Sequence, residues 1–195
     1  MIISLARKHD ALQIAKIHKA EINKGFLSSL SVPFLKNLYS AIIESDVGFC
    51  VVVKENDAVV GFISGVVDIN ALYVHFLKKY FFQSIILLFK KFFSFSYIKK
   101  MFEILLYPVK ESKLPPAELL TMAVSRQFQG QGIAGKMFTE FLTEMKKRKI
   151  TSFKVLVGED LKPAIHFYEK SGFTFLKRIA IHQGTSSRIY IYDIT

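Results

Sequence analysis

One cysteine, five prolines and no tryptophan stand among 195 residues. A lone cysteine excludes an internal disulfide framework and any zinc site built on thiolates. Cys50 sits in the apolar run Phe49–Val53 and is expected to be a small buried hydrophobe. Acidic residues are scarce, 16 Asp and Glu against 27 Lys and Arg. No His/Asp/Glu group has metal-ligand spacing, so no metal is expected, and no Ser-His-Asp order points to a hydrolase. Apolar stretches occur, but none reaches the ~18 residues of a membrane span. The first residues, MIISLARKHD, reach charge within seven positions and have no apolar signal core. A cytoplasmic protein is therefore the expectation. Repeats and low-complexity linkers are also lacking. With 51% hydrophobic and 22% charged residues, the chain is read as a single domain over residues 1–195.

What is present is a net charge of +11, unevenly placed. Between Ala71 and Lys113 there are eight Lys and two Glu, and the lysines come in pairs: Lys78–Lys79, Lys90–Lys91 and Lys99–Lys100. Here the pattern breaks: the apolar stretches Tyr80–Phe89 and Phe92–Ile98 alternate with those pairs, which predicts two or three short helices over about 71–107. This basic, Phe-rich insert (71–113) suits a lid, a homodimer surface or a peripheral patch on anionic lipid, against the plainer reading of a packed helical insert with its lysines in water.

On either side the periodicity is regular. Ile2–Arg7 reads as a strand, and a helix follows from Asp10, its N-cap, to about Asn23, closed by Gly25. Val32–Glu44 reads as a helix with Pro33 in its first turn, and Gly48–Lys54 and Ala58–Val67 as a hairpin around Glu55-Asn56-Asp57. After Leu114-Pro115-Pro116 come a strand Glu118–Val124, a helix Gly130–Lys149, a strand Ser152–Val157, a helix Lys162–Lys170 ended by Ser171-Gly172, and strands Phe173–Ile181 and Arg188–Ile194.

The strongest local signal is Gln129-Gly130-Gln131-Gly132-Ile133-Ala134, which follows a strand and opens a helix. Glycines let the backbone turn tightly and approach a ligand, and a helix start leaves N–H groups unpaired with partial positive charge. A diphosphate is the natural occupant. Gly130 to Gly135 also fits the dinucleotide pattern GxGxxG, with Glu159 as the ribose carboxylate. Against that, Ser125 to Phe128 separate strand and glycines, and only about 60 residues follow Gly135, too few for a doubly wound sheet.

At this point the chain resembles the GNAT acetyltransferase superfamily. Gln129 to Ala134 follows its acyl-CoA signature, and Ala164-Ile165-His166-Phe167-Tyr168-Glu169-Lys170-Ser171-Gly172-Phe173 follows its second landmark. The likeness covers most of the chain outside 71–113. One position departs: the family Asn three residues before Ala164 is Leu161 here. The resemblance implies an α+β fold with a mixed, mostly antiparallel sheet of about seven strands flanked by helices. It implies acetyl-CoA as co-substrate, held by Met122, Ala123, Val124, Gln129, Gly130, Gln131, Gly132, Ile133, Ala134, Gly135 and Tyr168. Strands Glu118–Val124 and Ser152–Val157 are expected to splay around the pantetheine arm, with the Val124 N–H polarising the thioester carbonyl.

An amine attacking a thioester must lose a proton and the leaving thiolate must gain one. Tyr168 matches the family acid, with a packing tyrosine as the plainer reading. Glu118 is the candidate base, with Leu120 and Met122 on the same strand face by alternation, against the plainer reading of an exposed glutamate at a strand start. Phe26, Leu27, Ser28 and His75 are candidates for the acceptor pocket, while His166 is expected in solvent and Glu159 and Asp160 at a helix cap. The expected activity is acetyl transfer to a primary amine on a small molecule or amino sugar, with no nucleic-acid partner. A protein or peptide N-acetyltransferase and a noncatalytic acyl-CoA-binding module are the alternatives.

Overall fold

The two β-branched runs on either side of Glu55 form the hairpin that frames the sheet. In a computed structural model, which describes residues 1–89, 114–182 and 185–194, β2 (Gly48–Glu55) and β3 (Ala58–Val66) pair antiparallel. Asn56 and Asp57 turn the chain at φ 48° and 65°, the left-handed region that these two residue types tolerate. The other strands are β1 (Ile2–Leu5), β4 (Glu118–Val124), β5 (Ser152–Gly158), β6 (Thr174–His182) and β7 (Thr185–Asp193). They form a seven-stranded sheet of order β1-β2-β3-β4-β5-β7-β6, in which only β4 and β5 run parallel.

Helices cover both faces. On one lie α1 (Ala11–Glu21), the single turn α2 (Phe26–Ser29), α3 (Val32–Glu44) and α4 (Ile69–Phe89); on the other lie α5 (Ile133–Lys147) and α6 (Lys162–Lys170). Successive residues of β2 show why both faces are dry: Cys50 and Val52 join the α1/α3 core, Val51 and Val53 the α5/α6 core. The α5/α6 core is aromatic: Phe138, Phe141, Phe153, Phe173 and Tyr192 stack or meet edge to face with centroids 5.0–6.2 Å apart. Gly65 makes room for it, since a Cβ there would lie 2.5 Å from a Phe141 ring carbon and 3.0 Å from Phe49.

Helix α4 falls at the start of the expected insert and carries Lys78–Lys79 in its middle, with one face anchored on α3. Phe76 lies 5.9 Å from Phe34, and Tyr80 and Lys79 both donate to Glu44. The rest of the expected insert, 90–113, lies outside the described residues, as do 183 and 184 in the last turn. Asp10 does not cap α1 through its side chain; its carboxylate accepts the Arg7 N–H and pairs with Lys54 at 2.6 Å. The helix expected from Gly130 starts at Ile133, because Gly130 and Gly132 take φ of 77° and 74°, outside the right-handed helical region. In β4 the alternation fails: Ser64 faces Thr121 and Gly65 faces Leu119, so Leu120 is an extra, bulged residue. Leu120 therefore packs toward α1/α3 while Met122 packs toward α5, and Glu118, Leu120 and Met122 do not share a face.

Among the described residues no helix is long and apolar enough to cross a membrane. Gly65→Ala should destabilise the fold by about 1–3 kcal/mol, because the added methyl must displace Phe141 within a packed core; a thermal melt of the variant beside the parent measures this.

Candidate active site

The bulge at Leu120 has a consequence for the neighbouring strand. β4 and β5 pair only at Glu118 with Lys154 and Leu119 with Val155, and beyond that they diverge. β4 remains bonded to β3 on its other side, and β5 to β7 along its whole length, so the facing edges of Leu120–Val124 and Leu156–Gly158 are left unpaired. The Ser125 N–H donates to the Val60 carbonyl at 2.8 Å on the β3 side. By alternation the main-chain groups of Val124 and Met122 face the gap. An extended chain with its own amides fits there as an added strand.

At the open end of the gap lies the glycine loop. After a 3-10 turn at Arg126–Phe128, the Gln129 side-chain amide donates to the Val124 carbonyl at 2.9 Å and reaches Glu21 of α1 at 3.4 Å. Glu21 also accepts the Arg126 N–H at 2.9 Å. Gln129 thus folds back to brace the loop. Among the described residues, the main-chain N–H groups of Gly130, Gln131, Gly132, Ile133, Ala134 and Gly135 have no acceptor within the protein. A Cβ added at Gly130, Gly132 or Gly135 would meet no atom within 4 Å, so open space lies above these amides. Ile133 is buried and Ala134 half-buried against the α5/α6 core, which fixes the helix start that presents them. The residues fit an anionic diphosphate at the helix N-terminus.

Tyr168 of α6 shares a core with Val124 and Ile133. Its ring meets Phe167 and Phe173 at 5.7 and 5.1 Å, and burial pushes its phenol well above the usual tyrosine range, which keeps it protonated. Glu118 lies elsewhere, six residues before Val124, or roughly 20 Å along an extended strand. Burial raises its carboxyl, offset by the Lys154 ammonium 3.5 Å away, itself held by the Pro115 carbonyl at 2.5 Å. The glycine loop follows Val124 at the open end of the gap and Glu118 lies at its closed end, while Tyr168 belongs to the core that Val124 and Ile133 share.

The acceptor candidates divide. Leu27 packs against the α1/α3 core, and the Ser28 hydroxyl donates to the Lys24 carbonyl at 2.6 Å. Phe26 opens α2, and His75 lies in α4 with its Nε2 buried. Glu159 and Asp160 do not cap α6, whose N-cap is Leu161; Glu159 pairs with Arg178 and Arg188, and Asp160 with Lys24 at 2.5 Å, tying the α1–α2 link to the loop after β5. Sequence reasoning missed a buried polar chain beside the gap. His18 Nδ1 lies 2.6 Å from the Tyr39 hydroxyl, which lies 3.0 Å from the Thr121 hydroxyl, which lies 2.7 Å from the Ser64 hydroxyl. These residues come from α1, α3, β4 and β3, and each taken alone reads as an ordinary helix or strand residue.

The comparisons place the chain among acetyltransferases. The sequence model described as "Acetyltransferase (GNAT) family" matches residues 19–173. The chain belongs to the GNAT acetyltransferase family. Among solved structures it is similar to a GNAT-family protein from Desulfovibrio desulfuricans, at TM-score 0.65 and 12% identity, covering 100% of this chain and 99% of that one. It is also similar to the ribosomal-protein-S18-alanine N-acetyltransferase of Escherichia coli, at 0.63 and 15%, covering 100% and 94%. A third is yncA of Salmonella typhimurium, solved with its cofactor acetyl-CoA, at 0.61 and 13%, covering 100% and 94%. At these identities the structures show a shared fold. No curated protein is matched by the sequence.

Burial, with Lys19 beside it, takes the His18 pKa down to about 4, against ~6.5 for an unfolded histidine. Because the folded value is the lower one, protons favour the unfolded chain, and stability falls as pH drops from about 6.5 toward about 4. Asp10 and Glu44 have lowered carboxyls and lose their contributions only at more acidic pH. Between about pH 7 and about pH 5 the parent should lose about 2 kcal/mol that His18→Gln does not lose. Denaturant titrations of both proteins at the two pH values measure the difference.

Proposed function

We propose that this protein transfers an acetyl group from acetyl-CoA to a primary amine by direct attack of the amine, with a small molecule or amino sugar as acceptor. The observation that carries the reading is the run of six free N–H groups, Gly130 to Gly135, at the open end of an unpaired strand edge. Acetyl-CoA would supply a thioester, an activated acetyl group. The amides of Gly130 to Gly135 would hold its diphosphate, and the free edges of β4 and β5 would hold its pantetheine amides. The Val124 N–H would stabilise negative charge on a carbonyl oxygen in the gap. Tyr168 would give its phenolic proton to the departing sulfur, and recover one from solvent. Glu118, at the closed end, would be the sink for the amine's proton, reached through water and side chains on the α1/α3 face rather than by contact. Leu161 cannot offer the side-chain amide that the family motif has at its position, so the arm relies on main-chain groups.

Lys24 and Asp160 join the α1–α2 link to the loop after β5 at 2.5 Å, and a compact acceptor is the first reading. A peptide amine is the second reading, since two fold neighbours bear the names of ribosomal-protein alanine N-acetyltransferases. A thiol-release assay over amines, amino sugars and peptides separates them: turnover on peptides alone would overturn the small-molecule reading. Thermal stabilisation by NAD but not by acetyl-CoA or CoA would overturn the acyl-CoA reading itself.

Gly132→Val should abolish acetyl-CoA binding in calorimetry, a loss of roughly 100-fold or more, because its side chain takes the space above the amides while the φ of 74° adds strain. Retained affinity would refute the cradle. Tyr168→Phe should lower kcat by roughly 10²-fold or more with acetyl-CoA affinity little changed, read by steady-state kinetics beside a binding titration. Equal turnover in variant and parent would remove the acid role.

A further inference from the structure

Glu21 is the one acidic residue of α1 and stands at its last position. There the partial negative charge of the helix end disfavours a carboxylate, so nothing in the helix itself favours an acid. Its partners are distant in sequence. One carboxylate oxygen accepts the Arg126 N–H at 2.9 Å, and the other lies 3.4 Å from the Gln129 side-chain amide, 105 and 108 residues further along the chain. The same amide nitrogen donates to the Val124 carbonyl at 2.9 Å. A side-chain amide nitrogen carries two hydrogens, and here each has its own acceptor, which holds Gln129 in one orientation.

This brace straddles the turn that leads from β4 into the glycine loop. Arg126 opens the 3-10 turn that follows Val124 and Ser125, and Gln129 at its end is followed at once by Gly130. A Cβ on Gly130 or Gly132 would meet no atom within 4 Å, and inside the loop the Gln131 amide reaches the Gln127 carbonyl at 3.3 Å. The loop therefore takes its position from its ends. Phe128 and Ile133 hold it to the α5/α6 core, and Glu21 holds it to α1. Main-chain amides can serve a ligand only if their aim is fixed from outside in this way. Charge alone argues for a different residue, because a carboxylate beside a loop that receives a diphosphate repels it. Aim and repulsion act on affinity with opposite sign, so removing Glu21 separates them.

We propose that Glu21 is a positioning residue for the diphosphate of acyl-CoA: it acts through Gln129 and the Arg126 N–H to aim the amides of Gly130 to Gly135, and does not itself touch the cofactor. This rests on the acyl-CoA reading of the cleft. It makes a side chain of α1 a determinant of cofactor affinity. The brace outweighs the repulsion, because its hydrogen bonds to a charged acceptor act at contact, whereas the repulsion acts at longer range and is screened by solvent and salt.

The test compares the full chain with Glu21→Ala and Glu21→Gln in two titrations, calorimetry with CoA and ligand-detected NMR with pantetheine, the same arm without the diphosphate. Glu21→Ala should weaken CoA roughly tenfold, the size expected for losing hydrogen bonds to a charged acceptor. Glu21→Gln keeps an oxygen for the Arg126 N–H but turns an N–H toward Gln129, and should fall between Glu21→Ala and the parent. Pantetheine binding and the melting temperature should be little changed in both, because the fault is confined to the glycine loop. Equal or tighter CoA binding in both variants would overturn the proposal, tighter binding being the mark of a carboxylate that only repels. Equal losses on CoA and pantetheine would overturn it too, since they would report a general disturbance of α1. A parent that binds neither CoA nor acetyl-CoA would overturn the acyl-CoA reading, and this inference with it.

Discussion

β4 and β5 could have zipped along their full length, and the site depends on their failure to do so. A parallel pair of seven-residue strands would satisfy its own amides and leave nothing for a ligand. Leu120 is inserted opposite the Ser64/Gly65 step, the strand bends there, and pairing with β5 stops after Leu119. The cost, among the described residues, is a stretch of β4 and β5 edge without strand partners in the middle of a sheet, of which the Val124 carbonyl is met by the Gln129 side chain. Such groups persist only where water or a ligand meets them. The bulge thus joins fold and function: it opens the gap and turns Met122 toward the α5/α6 core. It also leaves Thr121 facing α3, where Tyr39 and Ser64 receive it.

The two faces of the sheet serve different ends. Behind the glycine loop the core is aromatic and dry, and Phe138, Phe141 and Phe173 hold α5 and α6 so that the helix start at Ile133 and the Tyr168 phenol keep fixed positions. On the α1/α3 face the core admits a polar chain from His18 to Ser64. That chain is uncharged at neutral pH, since burial depresses His18 and raises Tyr39. An uncharged hydrogen-bonded chain adds local rigidity without the desolvation cost of a buried ion. The last turn of α1 is pinned three ways, by His18 to α3, by Lys19 to the carbonyls of Ser28 and Leu30, and by Glu21 to the loop after β4. The α1–α2 link and the loop after β4 are thereby braced against the same helix.

Local chemistry made much of this legible from residues alone. Gly130 and Gly132 announce a backbone that no side chain should crowd, Asn56-Asp57 a tight turn, and the Ala164–Phe173 run a helix with a tyrosine on its apolar side. Each is a short-range rule, in which a residue type dictates its own dihedral or its own face, and each appears in the fold. The readings that failed depended on partners distant in sequence. Asp10 stands at the N-cap position of α1 as read, but its carboxylate turns to the Arg7 N–H and to Lys54, on a strand over forty residues later. Strict alternation placed Met122 beside Glu118, because a bulge is a property of two strands in register and leaves no mark on one.

What the sequence by itself determined is the class of chemistry: glycines at a helix start can serve an anion, and a phenol in an apolar helix can stay protonated beside it. Only the tertiary structure decided how much of β4 is left unpaired by β5, which carboxylates are spent on Lys24, Lys54 or Arg178, and which face of α4 meets α3. The division has a physical cause. Dihedral preference and side-chain periodicity act over a few residues and are written locally, whereas strand register, ion pairing and burial are competitions among groups that meet only when the chain is folded.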